Sequence, residues 1–307
     1  MSKYIFVGLS LVLIAVWTAV IVTPDNKLHV VVCDVGQGDA ILIWKGYMQM
    51  LVDSGPNSDI QACLGSHMPF YDRSLDVVIL THPDADHVGG MAGVVGRYKI
   101  DKFFTVPIGT QTTAYQNVKR VLEEKRVEVK NIYAGDVIRF GDMEFEVVWP
   151  ERKWVAQHIS SPELALSTSP LPLSTIMERE GVLGLSIIGV GTNEFSIGGV
   201  LRYGEFEMMF TGDADIAILD DQLATGLLSD VDVLKVAHHG SKFGTTSSWL
   251  SVVRPELAVV SVGKNNRYGH PTAETVGLLE SLGIKLLRTD LEGEIQIVSD
   301  GYKWWNK

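Results

Sequence analysis

Six short apolar runs of strand character in this chain stop at clusters rich in glycine, aspartate or histidine, and this recurrence constrains the fold more than any other feature. Leu28–Cys33, Met48–Val52 and Val77–Leu80 lead into Asp34-Val-Gly-Gln-Gly-Asp39, Asp53-Ser-Gly55 and Thr81-His-Pro-Asp-Ala-Asp-His87. Phe206–Phe210, Val231–Ala237 and Leu257–Val262 lead into Thr211-Gly-Asp213, His238-His-Gly-Ser241 and the loop from Gly263 to Pro271. Short apolar runs bounded by turn-forming residues read as buried strands. Between them, helical periodicity marks Tyr115–Lys125 and Ala273–Leu282, the second behind Pro271-Thr272, a first turn and cap. Strands interleaved with helices predict an α/β layered domain. Such domains place chemistry on loops at strand ends, where His82, His87, His238, His239 and His270 all lie.

Composition narrows the reading. With 37 acidic and 26 basic residues the net charge is -11, which argues against a broad basic groove for nucleic acid but permits a local site acting on phosphate esters. The 46% hydrophobic content excludes a disordered chain. The two cysteines cannot make a disulfide scaffold, and there is no C-x-x-C pair. Cys33, ending an apolar run, reads as a small buried hydrophobe. Tyr4–Val22 is a run of 19 uncharged residues behind Lys3, close to the ~20 that cross a bilayer as a helix. It predicts an N-terminal transmembrane anchor over residues 1–23, with the remainder outside the cytoplasm, where the cysteines face an oxidising space. A cleaved signal peptide and a buried core helix are the alternatives. Residues 24–307 read as one domain. Ser, Pro, Thr and Gly cluster without periodicity from Arg152 to Gly191, an insertion or lid.

The densest chemistry is His82-Pro-Asp84-Ala-Asp86-His87, four metal-capable side chains in six residues, followed by Gly89-Gly90 for a tight turn. Imidazole and carboxylate bind Zn²⁺ or Mn²⁺ while leaving room for water. Asp213 and His238 also follow strands and can converge on the same rim. A charged turn with a histidine cap is the bland alternative.

These motifs resemble those of metallo-β-lactamase-fold hydrolases, whose H-x-H-x-D-H signature stands here as His82 to His87. More narrowly, DVGQGDAILI at 34–43, LVDSG at 51–55, LTHPDADHVGG at 80–90, TGD at 211–213, LKVAHHGSK at 234–242 and SVGKNNRYGHP at 261–271 resemble the extracytoplasmic hydrolase domain of ComEC-type DNA-uptake channels. Asp84, where most of the superfamily has His, is typical of that branch. The resemblance implies an αββα sandwich with a metal site along one edge. It also implies one or two divalent ions: His82 and Asp84 on one, Asp86, His87 and His238 on the second, and Asp213 bridging. The superfamily's further histidine before the bridging aspartate has no good counterpart. His158 lies in the irregular segment, and the family-like stretch is Asn193-Glu-Phe-Ser196. An oxygen-rich first site tilts the metal from zinc toward manganese.

The implied chemistry is hydrolysis by metal-activated water, with Asp86 orienting the nucleophile and His270 protonating the leaving oxygen or binding phosphate. For His270, a loop histidine bonded to backbone is the alternative. Asp34, Gln37, Asp39 and Asp53 read as turn formers and supports behind the ligands, and Gly36 and Gly38 as backbone requirements. Lys235, Lys242, Lys264 and Arg267 gather near the rim, and His239, Ser241, Lys242, Lys264 and Arg267 are candidate substrate contacts suited to a phosphodiester. The expectation is therefore a membrane-anchored nuclease or phosphodiesterase related to DNA uptake. The multi-spanning channel and OB-fold domain of the resembled family are not seen, so uptake calls for a separate channel partner. A hydrolase of a non-nucleic substrate (a cell-wall phosphodiester, lactone or β-lactam) and a non-catalytic scaffold keeping the fold are the alternatives.

Overall fold

A computed structural model describes residues 4–10, 12–13, 25–160 and 181–307. Strands β1 (Leu28–Val32), β2 (Ile41–Lys45), β3 (Met48–Val52), β4 (Ser74–Leu80), β5 (Lys99–Thr105) and β6 (Val129–Asn131) open one sheet. A second sheet comprises β7 (Val137–Phe140), β8 (Met143–Trp149), β11 (Gly198–Tyr203), β12 (Phe206–Phe210), β13 (Val233–Lys235), β14 (Leu257–Val260) and β15 (Lys285–Arg288). The chain then returns to the first sheet as β16 (Ile295–Ser299) and β17 (Trp304–Asn306). The strand orders are β17-β16-β1-β2-β3-β4-β5-β6 and β15-β14-β13-β12-β11-β8-β7.

The inner faces of the sheets share one core, with Val30, Ile43 and Ile79 on one side and Phe145, Phe210 and Val259 on the other. The outer face of the first sheet is covered by the helices Ile60–His67, Met91–Arg97 and Thr113–Lys125. The second is covered by Ile216–Thr225, Ser247–Val253 and Ala273–Ser281. Each sheet must bury both faces, and the result is the four-layer αββα sandwich. Thr112 and Thr272 cap their helices by accepting from the backbone N–H of Tyr115 and Thr275, contacts each worth about 1 kcal/mol.

β3, β4, β5 and β6 run parallel, as do β12, β13, β14 and β15. Their carboxyl ends therefore bring the polar loops to one edge of the sandwich, the position the topology reserves for ligands.

The structure revises two expectations here. Cys33 is bonded to Cys63 as well as buried, with Cα atoms 6.0 Å apart. The helix Ile60–His67, packed over β1, brings the pair together across a separation of 30 residues. The stretch from Arg152 to Gly191, read as irregular, begins with a helix, Arg152–Gln157, and contains β9 (Ile159–Ser160) paired antiparallel to β10 (Ser186–Ile187). Residues 161–180 of that insertion lie outside the described residues, as do 11 and 14–22 of the predicted anchor; residues 4–10 and 12–13 are helical. Among the described residues no helix is long and apolar enough to cross a membrane.

Candidate metal centre

Asp86 and His87 come from the turn after β4, Asp213 follows β12, and His239 follows β13. One ligand atom from each of these four lies within 4.8 Å of the others. His87 Nε2 is 3.2 Å from Asp213 Oδ1, and His239 Nε2 is 3.4 Å from Asp86 Oδ2 and 3.5 Å from Asp213 Oδ2. The His82 ring packs against His87 at 4.1 Å between centroids, and its Nε2 lies 3.9 Å from Asp84 Oδ2. His82 Nε2, His87 Nε2, His239 Nε2 and Asp213 Oδ1 are buried without a hydrogen-bond partner among the described residues. Buried polar atoms are ordinarily satisfied. Imidazole lone pairs and carboxylate oxygens left open around one point form the donor set of a divalent cation.

Groups behind the ligands explain why the lone pairs point inward. Asp53, at φ 57°, accepts from Thr81 N at 2.8 Å, Thr81 Oγ1 at 2.7 Å and His87 Nδ1 at 2.7 Å. With its proton committed to Asp53, the Thr81 hydroxyl accepts from His82 Nδ1 at 3.0 Å. One carboxylate thus fixes the tautomers of two histidines and frees both Nε2 atoms for a ligand. His239 Nδ1 donates to Ser261 O at 2.9 Å and lies 3.4 Å from Asp39 Oδ1. Asp39 is in turn paired with Lys235 Nζ at 2.7 Å. The turn is shaped by backbone that only glycine tolerates: a Cβ on Gly38, at φ +135°, would lie 2.1 Å from Asp86 O. His238 and His239 both adopt left-handed φ, 49° and 54°, an uncommon conformation found at constrained sites.

The electrostatics follow from burial and proximity. Burial alone would depress the pKa of His87, but the carboxylates of Asp213 and Asp53 outweigh it and hold the imidazole well above its ordinary value. His239 is likewise opposed by burial yet raised to about 9 by Asp213 and Asp39. Burial would raise Asp213, but His239 and His87 keep it well below the usual carboxylate range. His82 is pushed down by burial and by His87. Asp39 is held low by Lys235 and His239 against its burial.

The two adjacent histidines stand differently in the structure. His239, expected at the substrate, sits in the cluster with 1% of its side chain exposed, whereas His238, expected on the second metal, is 31% exposed with Nε2 4.0 Å from Asp213 Oδ2. The turn at Ala237–Gly240 buries one ring and leaves the other partly exposed, and both border one cleft. That cleft, of about 190 Å³, is lined by Gln37, Asp84, Asp86, Asn193, Asp213, His238, His239, Tyr268 and His270. Lys235 is no rim cation: it is 1% exposed and bonded beneath the site. Ser241 is buried, its hydroxyl accepting from Phe243 N, so it holds the loop rather than facing a substrate. Asp34 is exposed and its carboxylate accepts from Gly36 N in a local turn. Lys242, Lys264 and Arg267 are exposed on the loops that carry His238, His239, Tyr268 and His270, and none of the three lines the cleft. His158 is in neither the cluster nor the cleft lining; it stacks on Trp154 and donates to its carbonyl. Ser196, in the family-like stretch, stands behind His82, with Oγ 3.2 Å from Nδ1 and accepting from Asp213 N. Sequence reading assigns no role to Thr81, Ser196 or Ser261, because isolated hydroxyl residues carry no spacing signal.

A family model described as the metallo-beta-lactamase superfamily matches residues 33–264. The chain belongs to that superfamily. Its members are metal-dependent hydrolases, and their use of divalent metals agrees with the open donor set here. Among curated proteins the chain is 28% identical over 282 residues to ComE operon protein 3 of Bacillus subtilis, covering 86% of this chain and 32% of that one. It is 27% identical to Competence protein ComA of Neisseria gonorrhoeae, covering 89% and 32%. Recombination protein 2 of Haemophilus influenzae is 23% identical, covering 86% and 28%. The chain thus spans roughly a third of the length of these relatives. Among solved structures, CmlA, a diiron β-hydroxylase from Streptomyces venezuelae, aligns with a TM-score of 0.51 at 12% identity over 89% of this chain and 54% of that one. That likeness speaks to the fold.

Proposed function

We propose that this chain is a membrane-tethered, extracytoplasmic phosphodiesterase that uses divalent metal to cleave DNA. The observation that carries the reading is the Asp86, His87, Asp213 and His239 cluster, bordering a cleft whose wall loops also carry the exposed Lys242, Lys264 and Arg267, in a chain whose net charge is -11. Local cations beside an acidic metal cluster suit a substrate that is anionic at its reacting centre. Relatives named for competence and recombination support DNA as that substrate.

Asp86, His87, Asp213 and His239 would hold one ion, and His82 and Asp84 with Asp213 a second. Bound Zn²⁺ or Mn²⁺ supplies Lewis acidity and lowers the pKa of a water from about 16 toward about 7. Burial would raise Asp86, but the His239 and His87 imidazoles lower it, so its carboxylate is ionised at neutral pH and accepts a hydrogen bond from the attacking water. His270 is pushed down by burial and by His238 and His239, so its neutral ring offers an N–H to the leaving oxygen. Lys242, Lys264 and Arg267 bind the non-bridging oxygens and orient the diester.

The tether reading rests on the uncharged run Tyr4–Val22, which ends shortly before β1. β1 enters at the end of its sheet opposite the Cys33–Asp39 turn, so a tether there leaves the cleft facing away from the membrane. The Cys33–Cys63 bond supports an oxidising compartment. In this proposal residues 1–23 are the tether, 24–307 the hydrolase unit, and a separate channel the partner for uptake. The test is cleavage of single- and double-stranded DNA by the full chain with Mn²⁺ or Zn²⁺, beside His87→Ala. Metal-dependent cleavage lost in the variant is expected. A folded, metal-loaded chain that leaves DNA intact overturns the reading and turns the search to cell-wall phosphodiesters and lactones.

A further inference from the structure

We infer that Tyr268 is the stacking platform of a nucleobase subsite, and that it makes the cleft select single-stranded nucleic acid. The inference rests on the phosphodiesterase reading and names the substrate form that reading leaves open. Tyr268 is 69% exposed, yet it lines the same cleft as Asp84, Asp86 and His270. Its ring lies over His270 at 5.8 Å between centroids and 29° between planes, and His270 in turn meets His238 edge-on at 5.6 Å. One face of the phenol ring is thus backed by the site, and the residue as a whole remains open to solvent.

The loop that carries it is braced. Asn266 Nδ2 donates to Gly263 O at 3.1 Å and to His270 O at 2.8 Å, while Asn266 Oδ1 accepts from His270 N at 2.9 Å. The loop backbone that carries the ring is therefore ordered before any ligand arrives, which lowers the cost of engaging a stacking partner. A nucleotide with its phosphate at the metal cluster would bring its base to this ring through the cleft the two share.

Stacking on an aromatic face is tolerant of sequence, because every base presents a π-face. It does discriminate strand state. A base in a duplex is already stacked between neighbours and reaches such a platform only by leaving them, whereas a single strand offers its bases freely. A phosphodiester polymer without bases gains nothing from the ring.

The test compares a single-stranded deoxyoligonucleotide with one of equal length carrying tetrahydrofuran abasic residues. For the metal-loaded full chain, kcat/KM on the base-bearing strand is expected to exceed that on the abasic strand by about tenfold or more. Tyr268→Ala should bring that ratio near one, and Tyr268→Phe and Tyr268→Trp should retain it. A ratio unchanged in Tyr268→Ala, or already near one in the wild type, overturns the subsite while leaving the phosphodiesterase intact. A wild type that cleaves neither strand overturns both. Binding gives a readout independent of turnover: fluorescence of 2-aminopurine in a single strand should be quenched by wild type and by Tyr268→Phe loaded with Ca²⁺ in place of the catalytic ion, and much less by Tyr268→Ala. Equal quenching by all three contradicts the assignment.

Discussion

Replacing Asp53 by Asn tests how strictly the groups behind the ligands govern metal binding. Asn keeps the shape and tolerates the left-handed backbone at φ 57°, so the fold should survive. Its amide, however, has one acceptor where the carboxylate has two. If the amide oxygen serves the Thr81 N–H, the NH₂ group faces His87 Nδ1, which must then become an acceptor. The proton moves to Nε2, the atom turned toward the metal, and a protonated nitrogen cannot ligate. If the amide is flipped, its NH₂ meets the Thr81 N–H and leaves a buried donor unpaired. Either arrangement costs about 1–3 kcal/mol, which corresponds to roughly 10- to 100-fold in metal affinity. Competition with a fluorescent chelator measures the loss directly. Affinity for Zn²⁺ or Mn²⁺ within about twofold of wild type would refute the role given to Asp53.

Lys235→Met should destabilise the chain by about 3–5 kcal/mol, because it leaves the Asp39 carboxylate buried without its partner at 2.7 Å. The added change Asp39→Asn should recover most of that loss, and guanidinium melts in which the double variant is no better than the single would contradict the pairing. In the metal-free chain His239 has its pKa raised from 6.5 to about 9, against burial and by Asp213 and Asp39. A raised pKa contributes stability that is complete below 6.5 and lost as pH climbs through 9. The metal-free melting temperature should therefore fall across that interval, while stabilisation by added Zn²⁺ grows as the ion replaces the proton; a flat metal-free profile would count against the site. Reduction of Cys33–Cys63, whose members lie 30 residues apart, should lower the unfolding free energy by about 3–4 kcal/mol, and matching denaturant midpoints with and without reductant would contradict it.

Much of the architecture was legible because parallel strands buried on both faces leave an unmistakable trace: a short apolar run followed by an abrupt polar loop. Met48–Val52 and Phe206–Phe210 are observed strands with the boundaries read from sequence. Val231–Ala237 is trimmed to Val233–Lys235, because beyond Lys235 the chain turns into the site. The histidine and aspartate cluster was legible for the same reason, since its residues follow β4, β12 and β13. What pattern could not decide was direction. His238 and His239 are neighbours in a left-handed turn, and no spacing rule says which ring faces the metal. Lys235 was misread as a surface cation, though its place inside an apolar run was the available signal that it is buried and paired. The disulfide depended on the helix Ile60–His67, whose weak periodicity hid it. Asn266 and Thr81 act through hydrogen bonds that only the folded loops define.

The most direct test of the central claim is a crystal structure of the full chain grown with Mn²⁺ and measured at the manganese absorption edge. An anomalous peak within coordination distance of His87 Nε2, His239 Nε2, Asp86 and Asp213, with His238 outside that shell, is the result this account predicts. A peak bound through His238 in place of His239, or none at the cluster, would contradict it.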